Sequence, residues 1–280
     1  MKQRQYFFFL ILTLSLKERK IKDVAYGLWR MVEFHFYRRS VVYKGHYFTA
    51  IVLAGGSGKR MKSEVAKQFI QLHGRPMLYY SLKAFADSPV DAIVLVTSEQ
   101  DVEHCKKEII EKYNIPKISS IVSGGKERYH SSINGVLASP TNSEYLLIHD
   151  SARPCITNEN IISCMENVMR YKNCTMGVRA VDTICQVAEN HQIIGIPNRN
   201  SLWSIQTPQC FIYEDIKKAQ ESLMDKESKL SEDEKKSITD DVAVIQRFLE
   251  RDVFIFEGSY ENIKVTNSTD VSKAEEYLMR

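Results

Sequence analysis

From residue 47 onward, short apolar runs alternate with longer amphipathic segments, and this alternation restricts the possible folds more than any other feature. The runs are rich in Val, Ile and Leu, as buried parallel strands are. They lie at residues 47–53, 92–97, 118–122, 145–149 and 175–178. Helical segments of about 10–15 residues between such runs are typical of a doubly wound α/β sheet. We therefore expect a mostly parallel, Rossmann-like sheet with right-handed crossovers, and a ligand beyond the carboxyl ends of its strands.

One segment interrupts the alternation of strands and helices. Residues 183–187 and 192–196 each alternate apolar and polar side chains, and the turn-rich residues 189–191 separate them. This pattern predicts a β-hairpin arm within about residues 180–206. Because a hairpin is only marginally stable alone, we expect the arm to pack against a second subunit of a homodimer.

The first 47 residues lack the alternation and form a basic N-terminal extension of unknown role. The apolar run at 6–16 resembles the core of a signal peptide, but no small-x-small cleavage site follows it. The run has about half the roughly 20 residues that a membrane-spanning helix needs. Residues 28–39 have the composition of a basic interfacial helix, so contact with a membrane surface is an alternative to our favoured interpretation of 1–47 as a segment outside the fold.

Charge and cysteine usage exclude several classes of partner. Of the 38 Lys and Arg residues, 10 lie in the first 48 residues beside three acidic ones, so the rest of the chain is slightly acidic. A nucleic-acid-binding body would need a basic face, and we expect no such partner. The six cysteines form no C-x-x-C pair and the seven histidines no H-x-x-x-H pattern. We therefore expect reduced thiols, a cytoplasmic location and no zinc site.

The strongest functional signal is the glycine-rich stretch at 53–61 (LAGGSGKRM), directly after the first strand. Its glycines let the backbone turn sharply and bring its N–H groups close to a nucleotide. It matches neither the Walker A loop nor G-x-G-x-x-G, because Met61 takes the place of the last glycine. Arg60 and Lys67 instead provide two cations near the turn, which suits a triphosphate whose leaving group gains charge. We favour phosphate binding over a simple tight turn.

The G-G-x-G-x-R-M stretch and the downstream Lys67-Gln68 resemble the signature of nucleotide-sugar pyrophosphorylase-type nucleotidyltransferases. Further stretches resemble the 2-C-methyl-D-erythritol 4-phosphate cytidylyltransferase family of the non-mevalonate isoprenoid pathway. They are residues 124–128 (GGKER) with Ser131, 149–154 (HDSARP), 181–183 (VDT), 198–199 with 202–203, 206–209 (QTPQ), 239–240 and 262–266 (NIKVT). The resemblance runs in order through residues 48–280, which it identifies as a cytidylyltransferase domain that includes the arm.

The resemblance implies roles for individual residues at the nucleotide. It implies that the cytosine and ribose are contacted by Ala54, Gly55, Gly56, Gly125, Ser131 and Asp150. Arg60 and Lys67 would hold the β- and γ-phosphates with Mg²⁺, an ion held mainly by the CTP phosphates themselves. Lys264 would stabilise charge on the α-phosphate.

The acceptor, a small alditol phosphate, is implied to contact Asp150, Arg153, Thr183, Arg199, Thr207 and Thr239. Of these, Thr183 and Arg199 would reach from the arm into the partner subunit. The less favoured alternative for Arg153 is an ion pair with Asp150 that only holds the loop. Without the resemblance, the arm residues would be interpreted as simple hairpin surface.

The implied reaction transfers CMP from CTP to 2-C-methyl-D-erythritol 4-phosphate, giving 4-diphosphocytidyl-2-C-methyl-D-erythritol and pyrophosphate. It needs no side-chain base, because a phosphate monoester is largely ionised at neutral pH. Residues 180–184 and 196–199 also resemble ribitol-5-phosphate cytidylyltransferase, which makes CDP-ribitol for wall or capsule polymers, and this is the alternative acceptor. A catalytically silent nucleotide-binding module would lack Arg60, Lys67 or Lys264, and all three are present.

Three positions depart from the family pattern. Ala66 stands where proline is usual before the lysine, and Ser151 where Gly or Ala is usual. His130 stands where an aspartate is common after the Glu127-Arg128 pair. These departures affect a turn and the surroundings of the ribose, and they leave the phosphate-binding charges in place.

Overall fold

The computed structural model describes residues 42–56 and 66–280. The chain forms two compact units, Met1–Gly45 and His46–Arg280. The described part of the first unit includes a 3-10 turn at Tyr43–Gly45. Arg60 and the interfacial segment predicted at 28–39 lie outside the described residues. Within the ranges described, no helix is both long and apolar enough to cross a membrane.

The strands of the second unit form one large sheet and two small hairpins. In chain order they are β1 (Phe48–Leu53), β2 (Gln71–Leu72), β3 (Arg75–Pro76), β4 (Ala92–Thr97), β5 (Ile118–Ser123), β6 (Tyr145–Asp150), β7 (Asn173–Arg179), β8 (Gln186–Val187), β9 (Ile193–Gly195), β10 (Trp203–Ile212) and β11 (Phe254–Glu257). In the described part of the chain the large sheet has seven strands, in the order β11-β7-β10-β6-β1-β4-β5. All neighbouring strands are parallel except β10, which is antiparallel to β6 and β7. The predicted mostly parallel α/β fold is confirmed.

Helices connect the strands and cover the sheet. They are α1 (Met77–Asp87), α2 (Val102–His104, continued by a π-helical segment at Cys105–Glu111), α3 (Arg128–Leu137), α4 (Asn158–Tyr171), α5 (Tyr213–Glu227), α6 (Glu232–Lys236), α7 (Asp241–Phe248) and α8 (Ser268–Leu278). The central strands β1, β4 and β6 are buried along their whole length, as strands covered on both faces must be. The main core joins these strands to α3, α5 and α7 through side chains such as Ile51, Val136, Leu223 and Val244.

The strand β10 was not predicted from the sequence. It contains the polar residues Gln206, Thr207 and Gln209 and also Pro208, so its sequence lacks the alternation of apolar and polar side chains that identifies a strand. Pro208 has no N–H to donate, and the pairing of β10 with β7 shifts its register between Ile205 and Gln209. The strand nevertheless lies between β6 and β7, where it contributes to the site described below.

The hairpin of β8 and β9 lies within the predicted arm, and its strands are shorter than predicted. In the ranges 42–56 and 66–280 the two strands pair only with each other, and a register shift between Gln186 and Val187 interrupts the pairing. The arm has several large apolar side chains whose exposed fractions range from 45% to 66%. They are Val181, Ile184, Val187, Ile193, Ile194 and Ile196.

Candidate functional site

The carboxyl ends of β1 and β6 meet at one edge of the sheet. The two strands are parallel neighbours, and Leu53 at the end of β1 is in register with Asp150 at the end of β6. Beyond β1 the chain stays close to the sheet, because the N–H of Ala54 donates to the carbonyl of Val96 at 2.7 Å. The glycines that follow Ala54 and the carboxylate of Asp150 therefore lie at the same edge, as parallel strands require.

A cavity of about 540 Å³ opens at this edge. It brings together many of the predicted site residues, namely Ala54, Gly55, Gly56, Lys67, Gly125, Ser131, Asp150 and Lys264. Residues from β1, β6, α3 and the C-terminal segment before α8 line it together. Its size is within the range of about 300–1,000 Å³ that is usual for small-molecule sites.

Around Ser131 the cavity wall is formed by the backbone of two glycine segments that lie close to the Ser131 side chain. The N–H of Gly125 donates to the Ser131 hydroxyl at 3.1 Å. A Cβ atom on Gly124 would lie 2.8 Å from that hydroxyl oxygen, and one on Gly55 would lie 3.8 Å from it. Ser131 thus lies between the two glycine segments, and at Gly124 there is no room for a side chain.

The Asp150 carboxylate is shared by two cations. Its Oδ2 accepts a hydrogen bond from Lys264 Nζ at 2.6 Å, and its Oδ1 accepts one from Arg128 Nε at 3.2 Å. Burial alone would raise the pKa of Asp150, but the positive charges of Arg128 and Lys264 outweigh burial and hold that pKa well below its usual range. The carboxylate is therefore ionised at the floor of the cavity, and Lys264 lies beside it.

Arg128 connects this carboxylate to a second one. Its NH1 group donates to Asp241 Oδ2 at 2.7 Å, and Asp241 is only 1% exposed. Burial opposes the charge on Arg128, but Asp241 and Asp150 outweigh that effect and raise its pKa. Asp241 also accepts a hydrogen bond from the Ser132 hydroxyl. A continuous row of charges, Lys264–Asp150–Arg128–Asp241, therefore runs from the cavity into the protein.

Arg128 and Asp241 were not assigned roles from the sequence. Arg128 is part of the GGKER stretch that resembles the family. Its place in the first turn of a helix, directly after a glycine loop, could have indicated from the sequence that it lies at the site. Asp241 follows the Thr239-Asp240 stretch, but a single sequence does not show that α7 brings it to α3. Only the tertiary structure relates the two residues.

Lys67 lies in a short 3-10 segment that is attached to the helix after β4. The ring of Phe69 packs edge-on against His104 with 4.7 Å between ring centroids. Gln68 Nε2 donates to Asp101 Oδ2 at 3.4 Å. These contacts hold the Lys67 segment at the cavity wall.

Arg153 and Thr207 form the support beneath Asp150. The guanidinium group of Arg153 donates to the carbonyls of Asn262 at 2.7 Å and Ile205 at 3.3 Å. Among the described residues the alternative ion pair between Arg153 and Asp150 is not found, and the guanidinium group holds two backbone carbonyls instead. The Thr207 hydroxyl is buried and accepts from the N–H of Asp150 at 3.1 Å.

His149, one residue before Asp150, is completely buried and has both ring nitrogens engaged. Its Nε2 lies 3.2 Å from the carbonyl of Arg153, and its Nδ1 lies 3.1 Å from the Thr207 hydroxyl. A carbonyl only accepts, so Nε2 carries the proton and Nδ1 accepts from Thr207. Burial lowers the pKa of His149 to about 4, so the ring is neutral at physiological pH.

Of the predicted acceptor residues, Asp150 alone lines the cavity in the portion of the chain that the structure describes; Arg153 and Thr207 lie behind it, and the other three lie elsewhere. Thr183 and Arg199 are exposed on the arm, where Arg199 donates to the carbonyl of Val181 at 3.2 Å. Thr239 is exposed just before α7. The described residues include no group of three or more His, Cys, Asp or Glu side chains arranged to hold a metal ion.

Comparison with known proteins gives a consistent result. The sequence model of the 2-C-methyl-D-erythritol 4-phosphate cytidylyltransferase (IspD) family matches residues 48–280. The protein of that name from Clostridium botulinum strain Langeland is 42% identical over 231 residues, which cover 82% of this chain and 96% of that protein. The one from Lachnoclostridium phytofermentans is 39% identical over 230 residues, 82% of this chain and 95% of that protein.

A solved structure agrees with these sequence matches. The crystal structure of 4-diphosphocytidyl-2C-methyl-D-erythritol synthase from Anaerococcus prevotii superposes with a TM-score of 0.71 at 29% identity. The match covers 86% of this chain and 99% of that one. Similarity in both sequence and fold therefore extends over nearly the whole of the second unit.

Proposed function

The chain belongs to the 2-C-methyl-D-erythritol 4-phosphate cytidylyltransferase family, and we propose that the cavity at the ends of β1 and β6 is where it transfers CMP from CTP to 2-C-methyl-D-erythritol 4-phosphate. The observation that supports this location best is the meeting of Lys67, Lys264 and the ionised Asp150 with two glycine segments around one cavity. The family match selects methylerythritol phosphate over ribitol 5-phosphate as the acceptor, as the sequence favoured.

The glycine segments are suited to a nucleoside. Gly55 and Gly125 have no side chains, so a flat base can approach their backbone closely, and Ser131 joins the two segments. Backbone N–H and carbonyl groups in fixed positions then distinguish a pyrimidine from a purine by hydrogen bonding and by size. We assign the cytosine and ribose to this wall, with Ala54 and Gly56 completing it.

The cations are suited to the triphosphate. Lys67 lies on a segment anchored by Phe69 and Gln68, so its charge is fixed near the glycine turn. Lys264 is held in the cavity lining by its hydrogen bond to Asp150, and we assign it to the α-phosphate, where negative charge grows in the transition state. Arg60, which lies outside the described residues, is assigned with Lys67 to the β- and γ-phosphates.

A Mg²⁺ ion fits this site. Mg²⁺ in phosphoryl-transfer enzymes is usually held by one or two carboxylates together with substrate phosphates and water. Asp150 is an ionised carboxylate in the cavity lining, and the phosphates of CTP supply the other ligands. When bound, the ion would neutralise part of the charge on the triphosphate and on the departing pyrophosphate.

The chemistry then depends on position and charge. An ionised oxygen of the acceptor phosphate attacks the α-phosphorus of CTP, the bond from that phosphorus to the bridging oxygen breaks, and pyrophosphate leaves with the electron pair. A general base is unnecessary, because the attacking oxygen carries no proton. His149 is unsuited to such a role, since both its nitrogens are engaged in the support beneath Asp150.

The arm is proposed to complete the acceptor site of a partner subunit. Thr183 and Arg199 are exposed near the apolar side chains of the arm, which would be buried in a dimer. Arg199 suits the phosphate of the acceptor by its planar fork of N–H donors. In this proposal Thr207, Thr239 and Arg153 belong to the acceptor side, and Thr207 and Arg153 also hold Asp150 and the loop before Lys264 in place. The free and mostly buried cysteines are consistent with a cytoplasmic enzyme.

The function is tested by pyrophosphate release from CTP and Mg²⁺ with methylerythritol phosphate or ribitol 5-phosphate as the acceptor. We expect turnover with the first and at most weak turnover with the second. Lys67→Ala should lower kcat at least about a hundredfold while changing the Kd for CTP only a few-fold, because the charge acts mainly in the transition state. The exposed Lys107→Ala serves as the control. A parent protein that binds no CTP in the presence of Mg²⁺ refutes the assignment.

A further inference from the structure

Gly125 in the cavity wall rests directly on the side chain of His130. A Cβ atom on Gly125 would overlap the Cβ of His130, so the two residues are as close as a glycine allows. The His130 ring also accepts a hydrogen bond at Nδ1 from the backbone N–H of Glu127 at 3.2 Å, which closes the capping box of α3. A displacement of His130 is therefore transmitted to Gly125 and Glu127, both of which line the cavity.

Glu227, the last residue of α5, fixes the other side of the ring. Because Nδ1 accepts from a backbone N–H, the hydrogen-bonding N–H of the ring is at Nε2, which lies 3.0 Å from Glu227 Oε1. The same carboxylate oxygen accepts from the Tyr129 hydroxyl at 2.7 Å. The Tyr129 hydrogen bond is the main cause of a lowered pKa at Glu227, so the carboxylate is ionised at neutral pH. The ring of His130 packs on that of Tyr129 with 4.4 Å between centroids.

Helix α5 is a firm support for Glu227. Leu223, one turn earlier, is completely buried in the main core. Gln220, a further turn back on the same face, donates from Nε2 to the Ser132 hydroxyl of α3 at 3.0 Å. Helices α5 and α3 are thus joined at two levels, by Gln220 near Ser132 and by Glu227 at the start of α3. The carboxylate cannot move away from His130 without disturbing packed side chains.

We propose that Glu227 is a positioning residue for the nucleotide, which acts through His130 to fix the backbone at 124–127 against the pyrimidine and ribose of CTP. The inference rests on the proposed function, since it assigns the 124–127 segment to the nucleotide. Glu227 is not among the described residues that line the cavity, so we infer that it acts through His130 and not by direct contact with the substrate. Its loss should therefore weaken the binding of CTP and leave the chemical step nearly unchanged.

The test measures CTP affinity and steady-state kinetics of the full-length protein for Glu227→Ala, His130→Ala and the double variant. We expect each single variant to raise the Kd and KM for CTP about tenfold, with kcat within about twofold of the parent and KM for the acceptor unchanged. Because the two residues act in one chain of contacts, the double variant should be no worse than the worse single variant. Glu221→Ala, on the same helix but exposed, removes an equal charge and should bind CTP like the parent.

The outcomes separate this inference from the proposed function. If the parent binds CTP and Glu227→Ala binds it equally well, or if the effects of the two single variants add, the positioning role is refuted while the function stands. If the parent itself fails to bind CTP, the proposed function is refuted first. Should Glu227→Ala not fold, Glu227→Gln keeps the side-chain volume and removes the charge; it should also raise KM for CTP with little change in kcat, and an unchanged KM refutes the role.

Discussion

At the scale of single residues, the site depends on a few charged groups whose partners come from distant parts of the chain. Arg128 is the clearest example, because it holds Asp150 on β6 and Asp241 on α7 at the same time. Both carboxylates are almost completely withdrawn from water. Each would be strongly unfavourable in the fold without its cation.

Removal of Arg128 should therefore damage both stability and activity. For Arg128→Ala we expect a loss of about 3 kcal/mol or more in the free energy of unfolding, because buried Asp241 loses its cation and Asp150 loses one of its two. Turnover should fall as well, because only Lys264 then holds the Asp150 carboxylate in the cavity lining. Urea denaturation and pyrophosphate release measure the two effects. The variant Asp241→Asn keeps the contact of Arg128 with Asp150 and should lose less activity. If Asp241→Asn lowers turnover more than Arg128→Ala does, Arg128 does not support activity through Asp150.

His149 should make the stability depend on pH. Its pKa is lowered to about 4 in the folded protein by burial, against about 6.5 in the unfolded chain. Between these values the unfolded state binds more protons than the folded state, so stability falls as the pH decreases from about 6.5 to about 4. The difference corresponds to about 3 kcal/mol for this group. Denaturation midpoints measured across this range should show a smaller slope for His149→Gln than for the parent, and an equal slope contradicts the prediction.

At the scale of elements, two glycines in and just before α3 have different tasks. Gly125, before the helix, lets the cavity wall approach His130, whereas Gly135 within the helix lets α3 pack on β1 and β4. A Cβ on Gly135 would overlap a methyl group of Ile51 and would lie 3.0 Å from one of Val96. A glycine is unfavourable inside a helix, and the close packing explains its presence.

The two glycines should therefore give different results when replaced by alanine. Gly125→Ala should weaken CTP binding more than about tenfold, because the added methyl displaces the cavity wall from His130. Gly135→Ala should reduce the free energy of unfolding by about 1–3 kcal/mol through overpacking, with CTP affinity of the folded protein nearly unchanged. Calorimetric titration with CTP and thermal denaturation distinguish the two. Equal effects of both variants on CTP affinity would show that the distinction is unfounded.

At the scale of the whole molecule, the arm is the feature that a single chain leaves incomplete. Within the described residues its strands pair only with each other, and its large apolar side chains are exposed. Replacement of Ile193, Ile194 and Ile196 by Ser should convert the proposed dimer into a monomer, because the apolar contact area is lost. The monomer should keep CTP affinity and lose acceptor affinity, because the arm is proposed to contribute Arg199 to the partner's acceptor site. Light scattering and KM values measure these changes.

The control for the arm is Leu137→Ser, which removes an apolar side chain of similar exposure at the end of α3. It should leave the mass and both KM values unchanged. A parent that is monomeric at working concentration and fully active, or an arm variant that remains dimeric, contradicts the proposed role of the arm.

Much of the fold followed from local sequence. The runs that became β1, β4 and β6 were mostly apolar, because parallel strands covered on both faces bury every side chain. Since the carboxyl ends of such strands share one edge, the glycines after Leu53 and the carboxylate of Asp150 were expected to be neighbours, and they are. The strand β10 was missed, since a strand with Pro208 and several polar residues does not show the usual pattern.

The sequence by itself indicated the parallel strands β1, β4, β5, β6 and β7, the edge at which the site lies and the residue types that suit a triphosphate, because each follows from the composition of a buried strand or from the chemistry of one short segment. Only the tertiary structure decided which groups are partners. Arg128 meets Asp241 across 113 positions and Tyr129 meets Glu227 across 98, and no local pattern records such contacts. They arise from the way in which helices pack on a common sheet, which depends on the whole chain at once.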